Sequence, residues 1–233
     1  MFAGKKKILT NEELAAAVKS AARKFFGGKS GSHDWDHSVR VLENCKILGN
    51  KLGADLFVLE LATYLHDIGR KEEVKTGGRV CHAQKGAQAA RKILAKLGCE
   101  KNLADAVIHC VECHRSKDEK KPVSIEAKVL FDADKLDALG AIGIVRLFLF
   151  ANEVGAGIHN QESDLAKTRA YSQEDTAFRE FYLSVRHLKD KMITEPGREL
   201  ALERHNFMVS FFENLFQEIA AKETFWEMLK KAK

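Results

Sequence analysis

Apolar positions along the chain recur at spacings of three and four, and no window alternates strictly between apolar and polar. The pattern predicts helices throughout and no sheet. Thr10 and Glu13 form a capping box ahead of Leu14, Ala17, Val18 and Ala21, so a first helix is expected to run to about Phe26 and to stop at Gly27-Gly28. A polar segment, 29–36, leads into a second helix with His37, Val41, Cys45 and Leu48 on one face, ending near Gly53. A third is predicted from about Asp55 to Ile68, with Leu59, Ala62, Leu65 and Ile68 as its stripe. Residues 70–80 read as an exposed loop. Helices follow over 82–97, 102–114, 124–136 and 138–151, with a charged surface loop at 117–122. Residues 152–173 are polar and irregular, and the tail predicts helices over 174–193, 197–221 and 223–231. The expected fold is all-α, a multi-helix bundle with additional C-terminal helices: one domain over 1–155, and an extension over 156–233 packed on it.

Composition narrows the class. Of 233 residues, 45% are hydrophobic and 30% charged, and only two are proline, so long helices are little interrupted. Lys and Arg total 38 against 33 Asp and Glu, a net charge of +5 that suits an anionic small molecule. The basic residues are scattered, and the terminal runs Lys5-Lys6-Lys7 and Lys230-Lys231 read as solvated ends, so no nucleic-acid partner is expected. The most apolar run, Leu139 to Ala151, contains Arg146 and falls short of the about 20 residues that span a bilayer; no membrane partner is expected. The first ten residues lead into a polar stretch and not into an apolar signal sequence. Five cysteines, an odd number, read as reduced thiols in a cytoplasmic protein. Phe207, Phe211, Phe212, Phe216, Phe225 and Trp226 make the tail apolar; core packing is the expectation and a homodimer face the alternative.

Nine histidines occur, and several stand beside acids. His66-Asp67 ends the third predicted helix, where one ion can lie between the directions of two adjacent side chains. His37 follows a loop, and Asp132, Asp134 and Asp137 lie on or beside a later helix. Imidazoles with carboxylates suit Fe, Mn, Co, Ni or Zn better than an all-oxygen Mg cage. Each piece alone has an ordinary explanation: a histidine at an apolar helix edge is commonly a hydrogen-bonded core residue, and acids commonly cap helices. Cys110-Val-Glu-Cys113-His114 has the form of a haem-attachment site or half a zinc site, but its place within an apolar helical stretch predicts a buried helix face.

The order of the pieces resembles the HD superfamily of metal-dependent phosphohydrolases. The segments that carry the resemblance are HDWDHSVRV, LELATYLHDIG, VCHAQKGAQAARKIL, CVECHRS and LFDADKLDALGAIGIVRLF, and it covers roughly residues 10–155. It implies a divalent metal ion (Mn, Fe, Co, Ni, Zn or Mg) held by His37, His66, Asp67 and Asp134. Asp134 is taken over Asp132 because the family's last aspartate precedes a basic or small residue and a leucine, as in Asp134-Lys135-Leu136. It places Asp67, His82 and His114 in catalysis, the two histidines lining a second metal site or contacting the phosphate. His33 matches a common histidine of the first motif with no role assigned. Arg70-Lys71 departs from relatives with a lysine directly after this motif, and neither residue is given a part. Lys85 and Arg115 are read first as solvated surface residues. The implied activity is hydrolysis of a phosphate ester or nucleotide by a metal-activated water, with a phosphorylated small molecule, a nucleotide, as partner; the alternative is a non-catalytic nucleotide sensor.

Overall fold

The structure, a computed structural model, describes residues 8–26, 35–76, 79–115, 120–160 and 165–219. Among these it is all-helical: α1 (Asn11–Arg23), α2 (Trp35–Leu52), α3 (Leu56–Leu65), α4 (Arg70–Lys75), α5 (His82–Leu97), α6 (Lys101–Cys113), α7 (Ile125–Leu136), α8 (Gly140–Glu153), α9 (Ala177–Leu183) and α10 (Glu195–Glu218), with 3-10 segments at Leu165–Lys167 and Val185–Lys191. No described helix is long and apolar enough to cross a membrane. The chain forms two units, Met1–Asp134 and Lys135–Lys233.

In the first unit α3 is the central element. Seven of its ten residues are buried, and it packs against α1, α2, α5 and α6. Asp55 caps it by accepting from the amides of Phe57 and Val58 at 2.8 and 3.1 Å. Polar ties set the register of its neighbours. Cys45 of α2 meets the Thr63 hydroxyl at 3.5 Å, and Asn44 Nδ2 donates to the Ala133 carbonyl of α7 at 3.2 Å. Trp35, the first residue of α2, stacks on Tyr64 at 5.7 Å and 18°. The expected capping box of α1 is present, with Glu13 N donating to Thr10 Oγ1 at 3.2 Å and Thr10 N to Glu13 Oε2 at 3.0 Å.

Two expectations need correction. Residues 70–80 are not simply an exposed loop: Arg70–Lys75 form α4, started by amides of Arg70 and Glu72 donating to the carbonyls of Asp67 and Gly69 and braced by the pairs Arg70–Glu73 and Glu72–Lys75. The helix expected over 174–193 is two pieces parted at Ser184, whose φ −128° and ψ −64° leave the helical region. It also starts late, because Asp175 is turned aside by the Tyr171 amide at 2.7 Å and Arg179 at 2.7 Å, leaving Thr176 as the cap. His33, the residues 116–119, and the last predicted helix with Phe225 and Trp226 lie outside the described residues.

The second unit is built on aromatic packing. Phe212 of α10 is fully buried and lies 4.5 Å from Phe181, 5.9 Å from Phe178 and 6.5 Å from Phe148, ring to ring. Phe216 adds an edge contact to Phe178 at 4.3 Å. Of the tail phenylalanines, Phe212 and Phe216 pack inward, as expected, whereas Phe207 is exposed. Phe212→Ala should cost about 3–5 kcal/mol. Urea unfolding followed by helical circular dichroism checks this; a midpoint equal to wild type would show that the ring cluster is not a core.

Candidate metal centre

Two helices of the first unit end in a histidine, and they end in the same way. His66 is the C-cap of α3 and His114 the C-cap of α6. A helix end leaves its last carbonyls without amide partners. The Nδ1 of His66 meets the Thr63 carbonyl at 2.7 Å, and the Nδ1 of His114 meets the Val111 carbonyl at 2.7 Å. A carbonyl only accepts, so Nδ1 carries the proton in both rings and Nε2 presents a lone pair. His82, the first residue of α5, has Nδ1 at 2.8 Å from Glu73 Oε2 and is in the same tautomer.

The lone pairs face one another. His82 Nε2 and His114 Nε2 are 3.0 Å apart, and His66 Nε2 is 3.2 Å from His37 Nε2. Asp134 Oδ1 lies 3.3 Å from His37 Nε2 and 3.9 Å from His66 Nε2. The Asp67 carboxylate stands between the two sets. Its Oδ1 faces His82 and His114 at 3.5 and 3.7 Å, and its Oδ2 faces His37 and His66, each at 3.9 Å. Donor atoms about 2.1 Å from a shared ion stand about 3.0–3.4 Å apart at octahedral or tetrahedral angles. The imidazole pairs match that spacing. Both His37-His66-Asp134 and Asp67-His82-His114 are groups that can hold a divalent metal ion. The donor set of imidazole nitrogen and carboxylate oxygen fits such an ion.

Burial favours the metal-binding form of His66 and His82. It lowers the pKa of His66 to about 4, and that of His82 likewise to about 4, with Arg70 adding to the effect on His82. Neutral imidazole is the ligand form, so proton competition at neutral pH is weak. The C-termini of α3 and α6 also bring the negative ends of two helix dipoles to this cluster, which favours a cation there.

The chain matches the HD domain family over residues 34–139. It is 36% identical over 209 residues to the uncharacterised protein YpgQ of Bacillus subtilis, covering 88% of this chain and 93% of that one. The chain belongs to the HD family. The crystal structure of Bacillus subtilis YpgQ in complex with ADP superposes with a TM-score of 0.70 at 32% identity, covering 91% of this chain and 98% of that one. An HD-superfamily hydrolase from Bacillus thuringiensis superposes with a TM-score of 0.68 at 28% identity, covering 91% and 100%.

In this HD domain the residues singled out from the sequence meet: His37, His66, Asp67, Asp134, His82 and His114 converge. Asp132 is buried outside both groups, since residues two apart on α7 point about 200° apart. Asp137 is held by Arg146, Nη1 to Oδ2 at 2.9 Å. Cys110 and Cys113 lie on the buried side of α6, the Cys113 thiol reaching the Lys121 carbonyl at 3.5 Å; neither is in a metal group among the described residues. Lys85 is exposed, but Arg115 is no free surface residue: it pairs with Glu73 at 2.8 Å. Sequence reasoning missed Glu73 and Arg70. Arg70 Nη2 reaches Asp67 Oδ1 at 3.3 Å. Nothing in the charged run of 70–75 sets these two apart; the 3.6-residue phase of α4 does, and a helix there was not foreseen.

Two glycines allow the close approach that seats His82. A Cβ on Gly69 would collide with the His82 carbonyl and the Gly86 amide nitrogen, and one on Gly86 would crowd the His66 carbonyl at 3.3 Å. Gly69→Ala therefore requires the start of α5 to move away. The expected cost is about 1–3 kcal/mol, with displaced His82 and His114 imidazole resonances. Denaturant titration and histidine-selective NMR check both; unshifted resonances would mean the backbone yields without moving the site.

Proposed function

We propose that the protein is a metal-dependent phosphohydrolase acting on a phosphate ester or nucleotide. The observation that carries this reading is the pair of inward-facing imidazole sets on either side of the Asp67 carboxylate, with Nδ1 of His66, His82 and His114 each committed to an acceptor. His37, His66, Asp67 and Asp134 are read as ligands of one divalent ion, and His82 and His114 as completing a second position with Asp67. When bound, divalent cations supply a water acidic enough to ionise near neutral pH and a Lewis acid for a phosphoryl oxygen. The chain's own residues orient the reactants. Asp67, fixed between both sets, positions the attacking water and accepts its hydrogen bond. Asp134 keeps a partly exposed side chain beside His37. Arg70 and Arg115, also partly exposed, place guanidinium charge beside the second set, where it balances the developing charge of a transferring phosphoryl group. Arg rather than Lys suits that task, since its fork meets two phosphate oxygens at once.

The ADP complex of YpgQ supports a nucleotide as the substrate class. It equally favours a second reading, a domain that binds nucleotide without turning it over. Phosphate release from a panel of nucleotides and phosphoesters by metal-stripped protein separates the two, with Mn, Co, Ni, Zn, Fe or Mg restored in turn. Release that requires metal and falls by about two orders of magnitude or more in Asp67→Ala is expected of the hydrolase. Protein that binds metal and nucleotide yet releases no phosphate would establish the sensor.

A further inference from the structure

Three of the inward-facing histidines need a partner for Nδ1–H, and only two receive it from their own helix. His66 and His114 close helix C-termini, where carbonyls are in surplus. His82 opens α5, and a helix N-terminus exposes amides, not acceptors. Its Nδ1 partner must come from another element, and Glu73 of α4 supplies it at 2.8 Å.

Glu73 is built into this position. The residue is only 8% exposed, and both carboxylate oxygens are engaged: Oε2 by His82 Nδ1 and by Arg70 Nη1 at 3.0 Å, Oε1 by Arg115 Nη1 at 2.8 Å. Two guanidinium groups, Arg70 and Arg115, stand against it and favour its carboxylate form. An ionised carboxylate is a stronger acceptor than a carbonyl, so it makes the opposite nitrogen of the ring more basic and holds the ring plane. Arg70 extends the same set of contacts to Asp67 Oδ1, tying the two acids nearest His82 to one guanidinium. Glu72, its neighbour in sequence, is exposed and pairs with Lys75, so the arrangement belongs to one face of α4.

We propose that Glu73 is a positioning residue that makes His82 a ligand and thereby decides whether the chain holds a second divalent ion. This rests on reading the two groups as a metal centre. The test is binding of Mn(II) to metal-stripped protein, by calorimetric titration with elemental analysis of the dialysed product. Wild type is expected to take two ions. Glu73→Gln keeps an acceptor but not the charge; it should weaken the second ion about 10–100-fold and leave the first unchanged. Glu73→Ala should weaken the second ion further, His82→Ala should remove it, and Glu72→Gln should alter neither. Two ions bound to Glu73→Gln as tightly as to wild type would overturn the proposal alone. Loss of both ions together in Glu73→Gln would make Glu73 a general structural support and also overturn it. A wild type that takes a single ion under every condition would overturn the two-ion reading, and the proposal with it.

Discussion

Everything in the first unit is arranged around imidazole lone pairs forced to face each other across a buried carboxylate. Two neutral ring nitrogens at 3.0 Å, each with its proton committed on the far side of the ring, repel. A carboxylate buried in the same enclosure carries a desolvation cost, which Arg70 offsets from one side at 3.3 Å. Each difficulty is relieved by positive charge at the centre. The constraint explains why such unlike elements converge there: two helix C-termini, one helix N-terminus, the first turn of α2 and the last turns of α7.

Local chemistry sets most of the ring geometry. A histidine that ends a helix can satisfy a carbonyl three residues back, and doing so selects its tautomer without help from the rest of the fold. His66 and His114 both do this. Long-range packing then sets the spacing. Gly69 and Gly86 allow the turn after His66 to lie directly on α5, which brings His82 to Asp67. Stacking of Trp35 on Tyr64 and the bond from Asn44 to Ala133 keep His37 and Asp134 in step with α3. Membership of the HD family accounts for the recurrence of the motif order, but the chemistry rests on these distances, since one fold can carry many functions.

The second unit contributes differently. Its core is phenylalanine packed on phenylalanine around Phe212, and its buried polar contacts, Arg179 with Asp175 and Arg146 with Asp137, fix loops and a helix end. These are paired charges holding irregular backbone, as buried ions generally must be. Helix α7 runs across the boundary, with Asp134 the last residue of the first unit and Lys135 the first of the second.

The helices were legible in the sequence because apolar periodicity and caps act locally: Thr10 with Glu13, Asp55, and the apolar faces of α2, α5 and α6 determine their elements from within. The ligand-type residues were legible because the order of their motifs resembles the HD superfamily; taken singly, each had an ordinary explanation as a core histidine or a helix cap. What the tertiary structure alone decided is which polar residues serve them. Glu72 and Glu73 are equivalent as sequence. Only the seating of α4 against α5 puts one in water and the other between His82 and two arginines. Arg115 likewise reads as a surface cation until Glu73 comes within 2.8 Å of it. The physical reason is range. Capping and periodicity are fixed within one or two helical turns, whereas a carboxylate's environment is set by whichever element packs across from it.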